Sequence, residues 1–275
     1  MNLSYTDEQN LLRDSVSKFC SSDYDFETRM KSVDSESGHN PEHWKLFAEL
    51  GWLAIPFSEE LGGLDGDNVD LSLVFEEFGK SIIVEPYLAN VVLAGGVLKR
   101  GDLENKTQIL EELISGTKQI SLANYEPNKG YNLDNVDCEI GSDGVVNGTK
   151  NTVLNAPNAD FFLVFGRQGS GYAFALIPKD APGLEIVGYK TYDGFVSGDL
   201  KLNKCKAEAV FSSKNALEIL DETIQEAIVC ICSEAIGAME KCYKLTIEYT
   251  QQREQFGQSL SKFQALQHRM VDMFM

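Results

Sequence analysis

"REQFGQSLSKFQALQHRM", residues 253–270, lies near the end of the 275-residue chain and sets Arg253, Phe256 and Gly257 in close order inside a helical pattern. Upstream, "AIVCICSEAIGAMEKCYKLTIEYTQQREQ" (227–255) places Ile236, Met239 and Tyr243 at helical spacing. Gly257 reads as the break, and a second helix begins near Ser261 with Phe263, Leu266, Met270 and Met273 on one face. Gln264 falls in its first turn. Spacing alone leaves two readings of the break. Arg253 is a guanidinium placed to bond phosphate oxygens in pairs, with Phe256 as a flat apolar neighbour. Alternatively, this is an ordinary helix end, with a cation favoured by the macrodipole and a glycine cap. The last apolar stripe needs further helices to cover it, so the segment reads as the incomplete start of a helical bundle and the chain as truncated.

Working backwards, the texture changes twice. From about residue 117 to 214 the runs are short and strand-like, among them "SLANY", "DFFLVFG" and "GYAFALIP", parted by Gly, Asn, Asp and Pro. That spacing predicts an antiparallel sheet or barrel. Asn147-Gly148 reads as a hairpin turn with "GVV" and "TKNTVL" pairing across it. Residues 1–116 read as helical. Thr6 with Gln9 forms a capping-box pair, Asn40-Pro41 an N-cap and first helical residue, and Gly79 the end of "LSLVFEEFGKSI". The fold class expected is therefore α+β and multidomain. It has an N-terminal α-helical domain (1–116), a middle antiparallel β-barrel domain (117–214) and the start of a C-terminal helical bundle (215–275).

Charge narrows the function classes. The chain has 24 basic against 42 acidic side chains, a net charge of −18, which argues against a nucleic-acid partner held through its phosphates. No apolar run approaches membrane-spanning length and the start lacks a signal-peptide core. The six cysteines are scattered and none joins a histidine in a metal set, so they read as small thiols in a reducing, cytoplasmic setting. A G-x-G-x-x-G after a strand and a P-loop are both absent, so Rossmann and P-loop readings are weak.

"YTQQREQFGQSLSKFQALQHRMVDM" (249–273) closely resembles the C-terminal signature of acyl-CoA dehydrogenases. "FAELGWLAIPFSEELGG" (47–63) resembles the family's N-terminal helix–loop segment, "NYEPNKG" (124–130) its flavin loop, and "VNGTKNTVLNAPNADFFLVFGR" (146–167) its Asn-Gly-x-Lys strand pair. Within the family, "YDFETRMKS", "IVEPYLANVVLAGGVL" and "EAIGAMEKCYKLTIEYT" look most like small subunits of the pimeloyl-CoA dehydrogenase type. The resemblance implies bound FAD, an acyl-CoA substrate and α,β-desaturation. It also implies electron-transferring flavoprotein as acceptor, and an oligomer, either of one chain or with an acyl-CoA dehydrogenase large subunit.

Carried over by residue, the resemblance points Arg253, Phe256 and Gln264, with Gln255 adjacent, at the FAD of a neighbouring subunit. It puts Asn124 and Tyr125 in the flavin loop, where the family has Thr at the second position. Thr152 falls where a Trp usually backs the flavin ring, and Leu154 where a Thr lies near flavin N5. An aromatic stack and a hydrogen-bond donor are thereby lost. Glu126, Pro127, Asn147, Gly148 and Lys150 are kept and read as fold and turn determinants. Some members place the catalytic Glu early in the long C-terminal helix, where this chain has Ala227. Glu226 points about 100° away round the helix and reads as a surface carboxylate. Most members place the base later than Met275, so no catalytic residue is named. Two functions follow: an FAD-dependent acyl-CoA dehydrogenase subunit, or a non-catalytic partner that completes the FAD site of a large subunit.

Overall fold

The computed structural model describes residues 4–211 and 215–275. Helices open the chain: α1 (Asp7–Ser22), α2 (Phe26–Asp34), α3 (Pro41–Glu49) and α4 (Asn68–Ser81). A π-wound stretch (Leu88–Ala94) then runs into α5 (Gly95–Arg100), and α6 (Lys106–Ile114) follows. Local chemistry sets several of these ends. Thr6 and Gln9 exchange side-chain and backbone bonds of 3.1 Å, a complete capping box, and Asn40 Oδ1 accepts from Glu42 N at 3.0 Å ahead of Pro41.

Eight strands follow: β1 (Ile120–Ala123), β2 (Glu139–Ile140), β3 (Val145–Leu154), β4 (Phe161–Gln168), β5 (Gly171–Pro178), β6 (Leu184–Lys190), β7 (Val196–Lys206) and β8 (Ala209–Phe211). They form one sheet in the order β6-β7-β3-β2-β4-β5-β8, with β1 added to β4. The expected closed antiparallel barrel is corrected here. β1 and β2 both pair with β4 in parallel, and the path ends at β6 and β8 without closing. The parallel start has a local cause. Asp160 accepts from Gln119 N at 2.9 Å and returns its own N–H to Gln119 O at 2.7 Å, which zips β1 and β4 together side by side.

The hairpin expected at Asn147-Gly148 is also overturned, because both residues lie inside β3. Gly148 has φ of 154° where the register against β7 slips, and a Cβ there would meet Cys138 at 2.8 Å. The glycine serves a bulge and a close approach rather than a turn.

The rest of the chain is α7 (Ala216–Gln252), a two-residue hairpin between β9 (Glu254–Gln255) and β10 (Gln258–Ser259), a 3₁₀ turn (Leu260–Lys262) and α8 (Gln264–Phe274). The long helix stops at Gln252, ahead of the glycine expected to break it. Phe256 and Gly257 take φ of 54° and 80°, the left-handed pair that a tight hairpin needs. Gln264 is the first residue of α8, as its first-turn reading required.

The chain divides into two compact units. One gathers the start of the chain to Phe26, Ser72–Ile83 and Ile231–Met275. In it α4 and α7 meet through glycines. A Cβ on Gly79 would lie 1.9 Å from Glu234 O, and one on Gly237 would lie 1.8 Å from Glu76 O. Gly79 therefore sits inside α4 as a packing residue, not at its end as expected. Lys80 joins Glu77 (2.7 Å) to Glu240 (3.0 Å) on this seam. The other unit holds Glu27–Leu71 and Val84–Cys230, which includes the whole eight-stranded sheet and the first part of α7. Asn90 is fully buried in its π-wound stretch, donating to Pro86 O and accepting from Ile120 N, the first amide of β1.

Candidate functional site

β1 delivers the chain to Asn124-Tyr125-Glu126, and the following loop is fastened from below by a buried ion pair. Lys150 Nζ donates to Glu126 Oε1 at 2.7 Å and to Asn124 O at 3.4 Å, so it holds the side chain after Tyr125 and the carbonyl before it. The Glu126 carboxylate accepts Cys138 N at 3.0 Å and Asp137 N at 2.7 Å, which closes the loop onto its own far end. These bonds satisfy the charges that burial would otherwise penalise. Burial pushes the neighbouring Cys138 thiol up to about 11, which keeps it protonated and unreactive. The reading of Glu126 and Lys150 as fold determinants thus acquires a geometry.

Above the pair, Tyr125 meets Tyr131 edge to face with ring centroids 6.4 Å apart. Both rings line a cleft of about 820 Å³. Asn132, Leu133 and Asp134 complete the loop wall, and Tyr172 Oη steadies that wall by donating to Asp134 O at 3.0 Å. The opposite wall is one face of α7, where Leu217, Asp221, Ile224 and Ile228 follow one another at helical spacing beside Glu218.

The other face of α7 has different work. Glu226 accepts from Lys99 Nζ at 2.9 Å and from Arg100 Nη1 at 3.0 Å, while Glu222 takes Arg100 Nε at 3.2 Å. Glu226 is only 7% exposed, so its reading as a surface carboxylate is corrected: two cations from α5 draw it into an ion cluster. Ala227 is buried and offers the site no proton acceptor.

The eight cofactor-binding expectations fall into two groups. Asn124, Tyr125, Thr152 and Leu154 belong to the sheet-bearing unit, where Tyr125 O accepts from Asn151 N at 3.0 Å and so joins the loop to β3. Thr152 has a left-handed φ of 54°, its N–H donates to Asp199 Oδ1 at 3.0 Å, and Asp199 also accepts Tyr189 Oη at 3.0 Å. Leu154 is half-buried and pairs with Ser197 across β7. Arg253, Gln255, Phe256 and Gln264 belong to the other unit, on and around the β9–β10 hairpin. Phe256 stands 92% exposed, its ring edge-on to Phe263 at 6.2 Å, and Arg253 O accepts Leu260 N at 2.8 Å to close the hairpin's base.

Sequence reasoning missed Asn151. Its Oδ1 is shielded from solvent and without a partner, and so is Asn124 Nδ2. One spare donor and one spare acceptor therefore flank Tyr125. A flavin's pyrimidine ring offers carbonyl acceptors and an N–H donor, so the residues present fit that group. Among the described residues there is no cluster of potential metal ligands, and no helix is long and apolar enough to cross a membrane.

Comparison with known proteins identifies the family. The acyl-CoA dehydrogenase N-terminal domain model matches residues 6–117, and the C-terminal domain model matches residues 217–275. A probable acyl-CoA dehydrogenase of Bacillus subtilis (strain 168), YngJ, is 31% identical over 296 aligned residues, covering 100% of this chain and 77% of the relative. The ChsE4–ChsE5 complex from Mycobacterium tuberculosis superposes with a TM-score of 0.87 at 26% identity, covering 99% of this chain and 74% of that one. Butyryl-CoA dehydrogenase from Megasphaera elsdenii shares the fold with a TM-score of 0.86 at 22% identity, covering 100% and 76%. From the fold, the two matched domains and the Bacillus relative together, the chain belongs to the acyl-CoA dehydrogenase family, oxidoreductases that act on CH–CH bonds.

Proposed function

We propose that the chain is an FAD-binding acyl-CoA dehydrogenase subunit whose 124–134 loop and α7 enclose part of a CoA thioester for α,β-desaturation. The cleft between Tyr125 and Ile228 carries this reading: Tyr125, Tyr131, Leu133, Leu217, Ile224 and Ile228 give it apolar surface among polar neighbours, and it is bounded by the loop that Lys150 and Glu126 hold. The chemistry that FAD would supply when bound is acceptance of a hydride from the substrate's β carbon. Asn124 Nδ2 and Asn151 Oδ1, both buried without a partner, would hold the cofactor's polar ring edge, with Tyr125, Thr152 and Leu154 as its further neighbours on this chain. Arg253, Gln255, Phe256 and Gln264 present a second FAD contact to a neighbouring subunit; an exposed Phe256 ring gains by burial there. Relatives described as an FAD complex of PigA and as butyryl-CoA dehydrogenase support the cofactor and the thioester class. Electron-transferring flavoprotein is the acceptor this reading adopts, and the scattered free cysteines favour a cytoplasmic setting.

A second reading, a non-catalytic partner in a heteromer, is favoured by Ala227 and Leu154, which supply neither a proton acceptor nor a donor. One experiment separates the two. The protein is purified alone and after co-expression with a large subunit, and its visible flavin spectrum and acyl-CoA-dependent dye reduction are recorded. Flavin and turnover in the protein alone support the enzyme and sink the partner reading. Flavin that appears only on co-expression does the reverse.

A further inference from the structure

Where β1 begins and β3 ends, side chains close a ring of hydrogen bonds around a buried histidine. Ser37 O accepts from His39 Nδ1 at 3.2 Å and from Asn158 Nδ2 at 2.7 Å. Asn158 Nδ2 also donates to Asn155 Oδ1 at 2.8 Å, and Asn155 Nδ2 donates to Gln119 Oε1 at 2.7 Å. Gln119 Nε2 completes the circuit, 3.4 Å from His39 Nε2. A carbonyl can only accept, so Ser37 fixes the direction of every other bond. Asn158 must turn its NH2 to Ser37, Asn155 then offers oxygen to Asn158, and Gln119 offers oxygen to Asn155. An NH2 is left facing His39 Nε2, which must therefore be a bare lone pair, with the imidazole neutral and its proton on Nδ1. A proton on Nε2 would set two donors face to face. Flipping Gln119 moves that conflict to Asn155, and flipping Asn155 moves it to Asn158, which Ser37 holds.

The ring ties the 37–39 loop to both strands of the candidate flavin site. Gln119 precedes β1, which leads to Asn124 and Tyr125, and Asn155 follows Leu154 directly. Asn155 is buried, holds a left-handed φ of 59° and donates its N–H to Val196 O at 2.8 Å. Resting on the reading of Asn124, Tyr125 and Leu154 as neighbours of FAD, we propose that His39 is a positioning residue for the cofactor. Neutral, it closes the ring that fixes both strand ends; protonated, it opens the ring and loosens the grip on FAD. The charged groups around it are Glu85, which draws a proton toward His39 and is shared with His43 Nδ1 at 3.1 Å, and the Lys118–Asp160 pair beside Gln119. Glu36, on its own loop, is exposed. Burial outweighs the pull of Glu85 and the Ser37 carbonyl and holds His39 below its ordinary pKa. An opened ring, with an ordinary histidine, takes the proton that the closed ring refuses, so opening gains up to about tenfold per pH unit below about pH 6.5.

The test follows the purified full chain from about pH 7.5 to about pH 5.5, a window that spans the histidine's ordinary pKa. FAD affinity is read from flavin fluorescence, and the His39 ring-nitrogen shifts from NMR. The expected result is the neutral Nδ1–H tautomer at the upper end, and FAD binding about three- to tenfold weaker at the lower end. His39→Gln should lose that slope. Gln119→Glu sets an acceptor opposite Nε2, so His39 should stay charged to higher pH and FAD affinity should hold or rise toward acid. The nitrogen shifts and the slope are read on the unaltered protein, so neither depends on a variant folding. A proton on Nε2 at the upper end, a flat affinity profile, or a slope that survives His39→Gln would each overturn the proposal. Absence of FAD binding at every pH would overturn the cofactor reading instead. The two failures are told apart because the nitrogen shifts need no FAD.

Discussion

Lys150 Nζ lies 2.7 Å from Glu126 Oε1, and neither side chain is open to solvent beyond 5%. A buried pair of this kind adds little net stability over an apolar pair of the same shape, yet losing one member leaves a charge stranded. Here the stranded group would be the carboxylate that gathers the amides of Asp137 and Cys138. Lys150→Met should cost about 3–5 kcal/mol in urea unfolding. The double change Lys150→Met, Glu126→Leu should recover part of that. The single variant should also lose flavin, because the loop on both sides of Tyr125 is released.

Glu226 and Glu222 make a matched comparison on one helix. Glu226 is buried between Lys99 and Arg100, whereas the Glu222 side chain is 56% exposed and touches only the Arg100 Nε edge. Glu226→Ala leaves two half-buried cations without their shared anion and should destabilise by about 3 kcal/mol or more. Glu222→Ala should stay within about 1 kcal/mol. Chemical denaturation of both, side by side, checks the difference.

Helix contact in the other unit predicts a steric penalty. Gly237→Ala drives a methyl into Glu76 O, a backbone atom that cannot swing away, and should cost about 1–3 kcal/mol or more. Gly171→Ala is the control. Its added carbon has Gln168 O at 4.0 Å as its nearest neighbour and its φ is not left-handed, so the thermal midpoint should hardly move.

A histidine sets one pH response. Burial is the main influence on His39 and pulls its pKa down, against smaller upward pulls from the Ser37 carbonyl and Glu85. The unfolded chain then binds a proton at about pH 6.5 that the folded chain refuses, so stability is full above that pH and falls as pH drops through and below it. Unfolding free energies measured across this window should slope downward toward acid. His39→Gln, which keeps a polar group near Gln119, should flatten the slope.

Features written in neighbouring residues were legible in the sequence. The Thr6–Gln9 capping box and the Asn40-Pro41 helix start need only three or four consecutive side chains, and both stand in the fold. What failed depended on partners far away in the chain. Asn147-Gly148 has the composition of a hairpin turn, but Cys138 needs the space beside Gly148, so the pair lies within a strand. Gly79 resembles a stop, but Glu234 presses against it. Glu226 resembles a surface carboxylate until Lys99 and Arg100 arrive from α5. At the candidate site the loop that carries Tyr125 was visible through its motif. The α7 wall was not, since its lining follows from which face of an amphipathic helix turns to the loop. Asn151 escaped because only its lack of a partner marks it, and that is a property of three dimensions.

The parallel pairing of β1 with β4 bears on how the chain is made. All four residues of β1 are buried, and their partners run from Phe161 to Val164. As the polypeptide leaves the ribosome, Ile120–Ala123 emerges as an apolar strand well before its neighbour has been synthesised. The nascent chain must carry that exposed edge through the making of β2 and β3, an interval in which an unpaired apolar strand is prone to stick to other chains.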